Sequence, residues 1–305
     1  MTRFVLTALI FSGTILAAQT PVPPPATQNP SPMVETTRAH NRLVARDLPG
    51  VHRTFTGPLG KPVAVYVPDA ATRAKSVHLV IHFHGAAFVA EQAVATLGHD
   101  HVSAVLNLGV GSGVYDRALS EPAAFDSLLS SILRELDEGV GHPVRIADIT
   151  LSGWSAGYGS IRAILRDTIN VSRVSAVLLL DGLHVSYVPE ATVVEKGGVL
   201  DSTNLDVFVR FAREAMRGSK RFVLTHSEIF PGTFASTTET TDYLVRTLGL
   251  RRVAVLRWGP VGMQQLSDAR SGGLTIMGFA GNTAPDHVDH VHGMATFLRL
   301  ARGIR

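Results

Sequence analysis

At 305 residues and 32.6 kDa the chain can bury one large core or two modest ones, and 45% hydrophobic with 17% charged residues is a globular composition, which excludes a wholly disordered chain or a small disulfide scaffold. The net charge of +3, from 28 Lys and Arg against 25 Asp and Glu with no long basic block, implies no nucleic-acid partner. Cysteine is absent, which removes disulfides, thiolate catalysis and thiolate metal sites and leaves His and carboxylates as the strong metal ligands.

The first 18 residues read as a secretory signal peptide: Arg3 starts it, an apolar run follows from Phe4 to Leu16, and Ala17 and Ala18 offer small residues for cleavage. The run is too short and too interrupted for a membrane anchor, so no stable membrane insertion is expected after cleavage. Residues 19–40 carry Pro21, Pro23, Pro24, Pro25, Pro30 and Pro32, an extended linker. A single catalytic domain is expected over 41–305, in a secreted or bacterial periplasmic protein.

Within that domain, Val51–Phe55 and Pro62–Val67 flank a Pro58-Leu59-Gly60 turn and predict an opening hairpin. Short apolar runs predict strands at Val77–Phe83, Ser103–Leu108, Arg145–Leu151, Val174–Leu180, Arg221–Thr225, Val253–Trp258 and Leu274–Phe279. Longer amphipathic stretches predict helices at Ala123–Glu138, Tyr158–Arg166, Asn204–Arg217, Thr238–Thr247 and Val288–Ala301. Alternation of the two predicts an α/β fold, a mostly parallel central sheet with helices on both faces.

The most specific signal is Gly153-Trp154-Ser155-Ala156-Gly157, placed between the strand ending at Leu151 and the helix from Tyr158. A serine on a strained strand-to-helix turn has its hydroxyl exposed, and flanking glycines keep Cβ atoms out of a crowded crossing. By contrast, Gly109-Val110-Gly111-Ser112-Gly113 lacks the dinucleotide spacing and reads as loop; no phosphate-binding G-x-x-x-x-G-K-[ST] occurs, and no cofactor is expected. The run ending in His82-Phe83-His84-Gly85-Ala86 enters a small-residue turn, where the N–H of Ala86 or Gly85, with that of Ala156, would form an oxyanion hole. His82 and His84 read as structural support for this loop.

The segments His82-Phe83-His84-Gly85 and Gly153-Trp154-Ser155-Ala156-Gly157, in this order, resemble the serine esterases and lipases of the α/β-hydrolase superfamily, over roughly Val51–Arg302. The resemblance implies an α/β-hydrolase fold and a serine, acid, histidine triad in that chain order. Asp181, terminating the apolar run Val174–Leu180, is the preferred acid. The superfamily more often places its acid one strand later, where Glu228 is the rival. Of His287, His290 and His292, His287 is the preferred base because it stands at the expected loop-to-helix boundary; His290 is the alternative.

These assignments describe a serine hydrolase that cleaves a small-molecule carboxylic ester through an acyl-enzyme, with activity rising as the base deprotonates. An amidase or peptidase would use the same residues. Two other readings stand beside it: a metallohydrolase with Zn on His82, His84 and one of the 287–292 histidines, and a non-catalytic exported binding protein on the same fold. Trp154, Phe88 and Tyr187 are the expected substrate contacts, with 182–217 as a cap or pocket segment, and Ser227, Phe230, Pro231, Phe234 and Thr237–Thr241 as a second loop at that edge. The sequence sets no oligomeric state.

Overall fold

The computed structural model describes residues 39–304, so the expected signal peptide and all but the end of the Pro-rich linker lie outside the described residues. The chain opens with β1 (Gly50–Thr56), β2 (Pro62–Pro68), β3 (Ser76–Phe83), α1 (Ala87–Ala95) and β4 (His101–Leu106). It continues through α2 (Ser112–Ala118), α3 (Pro122–Val140), β5 (Arg145–Trp154), α4 (Tyr158–Ile164), α5 (Thr168–Arg173) and β6 (Val174–Leu180). A short ribbon of β7 (Tyr187–Val188) and β8 (Val199–Leu200) precedes α6 (Asp206–Met216), β9 (Arg221–His226) and α7 (Thr237–Thr247). The chain then runs through β10 (Val253–Trp258), β11 (Gln264–Ser271), β12 (Leu274–Phe279), α8 (Ala284–His292) and α9 (Met294–Arg302).

Ten of these strands form one sheet in the order β1-β2-β4-β3-β5-β6-β9-β12-β11-β10. The six from β4 to β12 are parallel, and antiparallel strands close both sides. Strand β6 shows why an unbroken apolar run is needed: Val177 and Leu179 join the core under α3, α4 and α6, while Leu178 and Leu180 join the one under α1 and α9. Both faces are covered, so every position of the strand except the half-buried Ser175 is apolar and buried.

Several elements differ from the sequence expectation. The expected helix Val288–Ala301 is two helices that start earlier: Thr283 caps α8 in a reciprocal box with Asp286, Pro285 occupies the first turn, and Gly293 separates α8 from α9. Strand β11 carries mostly polar residues and was not expected; it pairs between β12 and β10 on backbone hydrogen bonds. Its neighbour β10 is apolar in sequence yet lies at the sheet edge, with Leu256 and Trp258 exposed. Helix α1 was missed because AFVAEQAVA is nearly all apolar and shows little periodicity. The Gly109–Gly113 loop turns into α2 at Ser112.

The segment leading into β1 crosses the molecule to α8. Arg42 and His40 both reach the fully buried Asp289 carboxylate, the His40 contact at 2.7 Å, and the Leu43 N–H donates to His292 Nδ1.

Candidate active site

The carboxyl ends of the central parallel strands meet at one edge, where loops of an open α/β sheet collect ligand-facing residues. Strand β5 ends at Trp154, and Ser155 turns the chain into the next helix with φ of +48°, a left-handed conformation rare for a residue with a side chain. Gly157 makes the bend possible: a Cβ there would lie 2.1 Å from the Phe83 carbonyl oxygen on β3. Gly182 does the same from β6, since its Cβ would come within 2.6 Å of the Ser155 backbone.

Asp181 follows β6 with φ of +43° and is buried. Its Oδ1 accepts from the Ser227 N–H at 2.9 Å and the Thr237 hydroxyl at 2.6 Å; its Oδ2 accepts from the Ser227 hydroxyl at 2.8 Å and from His287 Nδ1 at 2.7 Å. Burial alone would raise the carboxyl pKa, but the His290 and His287 imidazoles and the Thr237 hydroxyl hold it well below the usual carboxylate range. Its depressed value contributes stability above the unfolded carboxylate pKa of about 3.9, lost only as pH falls through the lower folded value. An ionised acceptor at Nδ1 fixes the His287 proton there and leaves Nε2 as a proton acceptor.

Ser155, Asp181 and His287 line one cavity of about 330 Å³, together with Ile229, Pro231 and Phe234. The two rivals are occupied elsewhere. Glu228 Oε2 accepts from the Gly281 N–H at 3.2 Å, and Glu228 N–H donates to the Gly281 carbonyl, so this carboxylate pins the loop after β12. His290 is buried, with Nδ1 2.7 Å from the Thr225 hydroxyl and its pKa lowered by burial. His287 itself sits in the first turns of α8 rather than at a loop boundary, because the Thr283 cap begins the helix earlier.

On the loop expected to offer an oxyanion donor, one of the two candidate N–H groups is already engaged. The Gly85 N–H is spent on Asn107 Oδ1 at 2.8 Å, and Asn107 Nδ2 returns to the Gly85 carbonyl at 2.8 Å. This two-way clamp leaves Ala86, beside Ala156, as the remaining candidate on that loop. Asn107 escaped sequence reasoning, although its place directly after β4 at the same sheet edge was a usable signal.

His82 and His84 do not pair around a common point. His82 is buried with Nδ1 on the Ser152 hydroxyl at 2.9 Å, and burial pushes its pKa down to about 4. His84 leaves the strand alternation at φ of +70°; its Nδ1 lies 2.8 Å from the Tyr115 hydroxyl and its ring stacks on Trp154. Among the described residues, the ligand atoms of His40, Asp286 and Asp289 are the group that converges closely enough for a metal, and Arg42 already occupies Asp289.

None of the three expected substrate contacts lines the cavities at Ser155. Trp154 stacks on the His84 ring and packs tilted against the His287 ring, and its indole N–H donates to the His287 carbonyl at 3.0 Å. Phe88 packs edge-on to His292. Tyr187 is buried and donates to the Glu239 carboxylate at 2.8 Å, a core role that its aromatic body and polar tip explain. Ser227 and Thr237, expected on a substrate loop, turn their hydroxyls to Asp181. Ser227, Pro231, Phe234 and Thr237 of that loop line the smaller cavity, and Phe234 joins Val110, Tyr158, His184 and Val185 on the larger one of about 660 Å³, which also opens on Ser155. His184 and Val185 belong to the segment expected to form the pocket.

No protein-family model matches the chain, and no curated protein matches it by sequence. Its fold does match solved structures. A ferric enterobactin esterase from Salmonella typhimurium is similar with a TM-score of 0.51 and 15% identity over 86% of this chain and 60% of that one. The enterobactin esterase from Shigella flexneri gives 0.51 and 14% over 86% and 61%. The chain thus spans about three fifths of the length of these relatives. The strand order with its strand-to-helix turn at Ser155 is that of the α/β-hydrolase fold.

Proposed function

We propose that this protein is a serine hydrolase that cleaves carboxylic esters through an acyl-enzyme, with Ser155 as nucleophile, His287 as base and Asp181 as the acid that orients it. The observation that carries this reading is the 2.7 Å contact from His287 Nδ1 to a buried, fully hydrogen-bonded Asp181, in the cavity that Ser155 enters from a strained turn. Ser155 Oγ attacks the ester carbon as its proton passes to His287 Nε2; the C–O bond then breaks and that proton leaves with the alcohol. Water repeats the sequence on the acyl-enzyme, releasing the acid and restoring the Ser155 hydroxyl. The Ala156 and Ala86 N–H groups are the proposed donors to the oxyanion. The apparent export segment in residues 1–18 supports action outside the cytoplasm.

A fluorophosphonate probe is expected to label the wild type at Ser155, mapped by peptide mass spectrometry, and to leave Ser155→Ala unlabelled. The wild type is also expected to hydrolyse para-nitrophenyl acetate faster than para-nitroacetanilide. Labelling at another residue, or equal labelling of both proteins, would refute the nucleophile, and a faster anilide would assign an amidase instead.

Asn107→Ala is expected to lower kcat for para-nitrophenyl acetate by about 10- to 100-fold with little change in KM, because the clamp positions the loop that carries an oxyanion donor. A loss seen only in KM would place Asn107 in ground-state binding rather than in positioning.

A further inference from the structure

The larger cavity carries one charged side chain, Arg162, and no acidic residue lines it. Arg162 stands one turn after Tyr158 on α4, and both line the same cavity as Ser155. Side chains on a helix lean toward its N-terminus, which brings the guanidinium back over Tyr158 at the start of α4. Its position is fixed: Nε donates to Asp116 Oδ2 at 2.7 Å, and the group lies 5.6 Å over the Tyr158 ring. Asp116 is also held by both terminal nitrogens of Arg166, at 2.8 and 3.0 Å, so two guanidinium groups share one carboxylate and leave a net positive charge. Among the described residues the terminal Nη groups of Arg162 have no hydrogen-bond partner, although its side chain is only 13% exposed. A half-spent guanidinium that lines the cavity, held in place through Nε, is a ready receptor for a carboxylate.

The two cavities also divide the substrate. His287 lines the smaller one and not the larger, and a base that protonates the departing alcohol must face it, so the alcohol occupies the smaller cavity. The acyl part is left for the larger, where Val110, Val185 and Phe234 offer apolar contact in the cavity that Ser155 and Arg162 share. We infer that the larger cavity is a subsite for an acyl group ending in a carboxylate, bound by Arg162, which makes half-esters of dicarboxylic acids the favoured substrate class. This inference deepens the esterase reading above and rests on it for the direction in which the ester lies.

Two para-nitrophenyl esters test it: that of adipic acid with its far carboxylate free, and the same ester with that carboxylate methylated. The wild type is expected to favour the free acid by about tenfold or more in kcat/KM, a preference that added NaCl weakens. Arg162→Gln is expected to bring the ratio toward one, and Arg162→Lys to retain part of it. A wild-type ratio near one, or a ratio unchanged in folded Arg162→Gln, overturns the subsite. Hydrolysis of neither ester would defeat the esterase reading alone, because binding of monomethyl adipate to Ser155→Ala, measured by calorimetry, reads the subsite without turnover. An affinity about tenfold weaker when Arg162→Gln is added supports the carboxylate site, and an equal affinity removes it.

Discussion

Ser155→Ala and His287→Ala are each expected to lower kcat on an activated ester by about 10⁴- to 10⁶-fold, and the double variant to lose no more than the worse of the two. The oxygen of Ser155 becomes a nucleophile only as its proton leaves, and the acceptor proposed for it is the free nitrogen of an imidazole locked by Asp181. Once either partner is gone, the other has nothing left to do. Steady-state kinetics on the three folded proteins check this: losses that multiply would mean that the two residues act independently, and the triad would be abandoned.

Asp181→Asn is expected to cost about 10⁴-fold in kcat, while Glu228→Gln costs less than about threefold. The carboxylate accepts from four donors, on Ser227, Thr237 and His287, and has none to give. An amide in its place must turn its NH2 toward one of those donors, and meeting His287 that way favours the tautomer whose proton sits on the wrong nitrogen. Glutamine at 228 keeps an oxygen for the Gly281 N–H. Kinetics with circular dichroism on both variants decide it. A crippled Glu228→Gln beside an active Asp181→Asn would transfer the acid role to Glu228.

The parts of this site that could be read in the sequence are those where one chemistry demands one pattern. The turn at Ser155 needs glycines where a Cβ would strike β3, and short apolar runs such as Ala176–Leu180 fit a strand buried on both faces. What stayed hidden depends on contacts between distant segments. Asn107 is an ordinary loop asparagine until Gly85 is placed beside it, and Ser227 and Thr237 are ordinary hydroxyls until Asp181 is. The aromatic residues expected at the substrate lie near functional segments in sequence, yet Tyr187 faces inward to Glu239 and Trp154 packs against the rings of His84 and His287. The polar strand β11 has no periodic apolar signature, because an antiparallel partner on each side holds it through the backbone. Pro285, which can be mistaken for a helix breaker, in fact starts the helix that carries His287.

The contacts of His40 and Arg42 with Asp289 tie the two ends of the described chain together over a sequence separation of nearly 250 residues. Asp289 is fully buried two positions beyond His287, so its negative charge has to be answered there or the helix cannot settle. Closing so long a loop costs chain entropy, which the paired charges around Asp289 have to offset. The segment before β1 thereby braces α8, the helix that carries the proposed base His287, from the opposite end of the described chain.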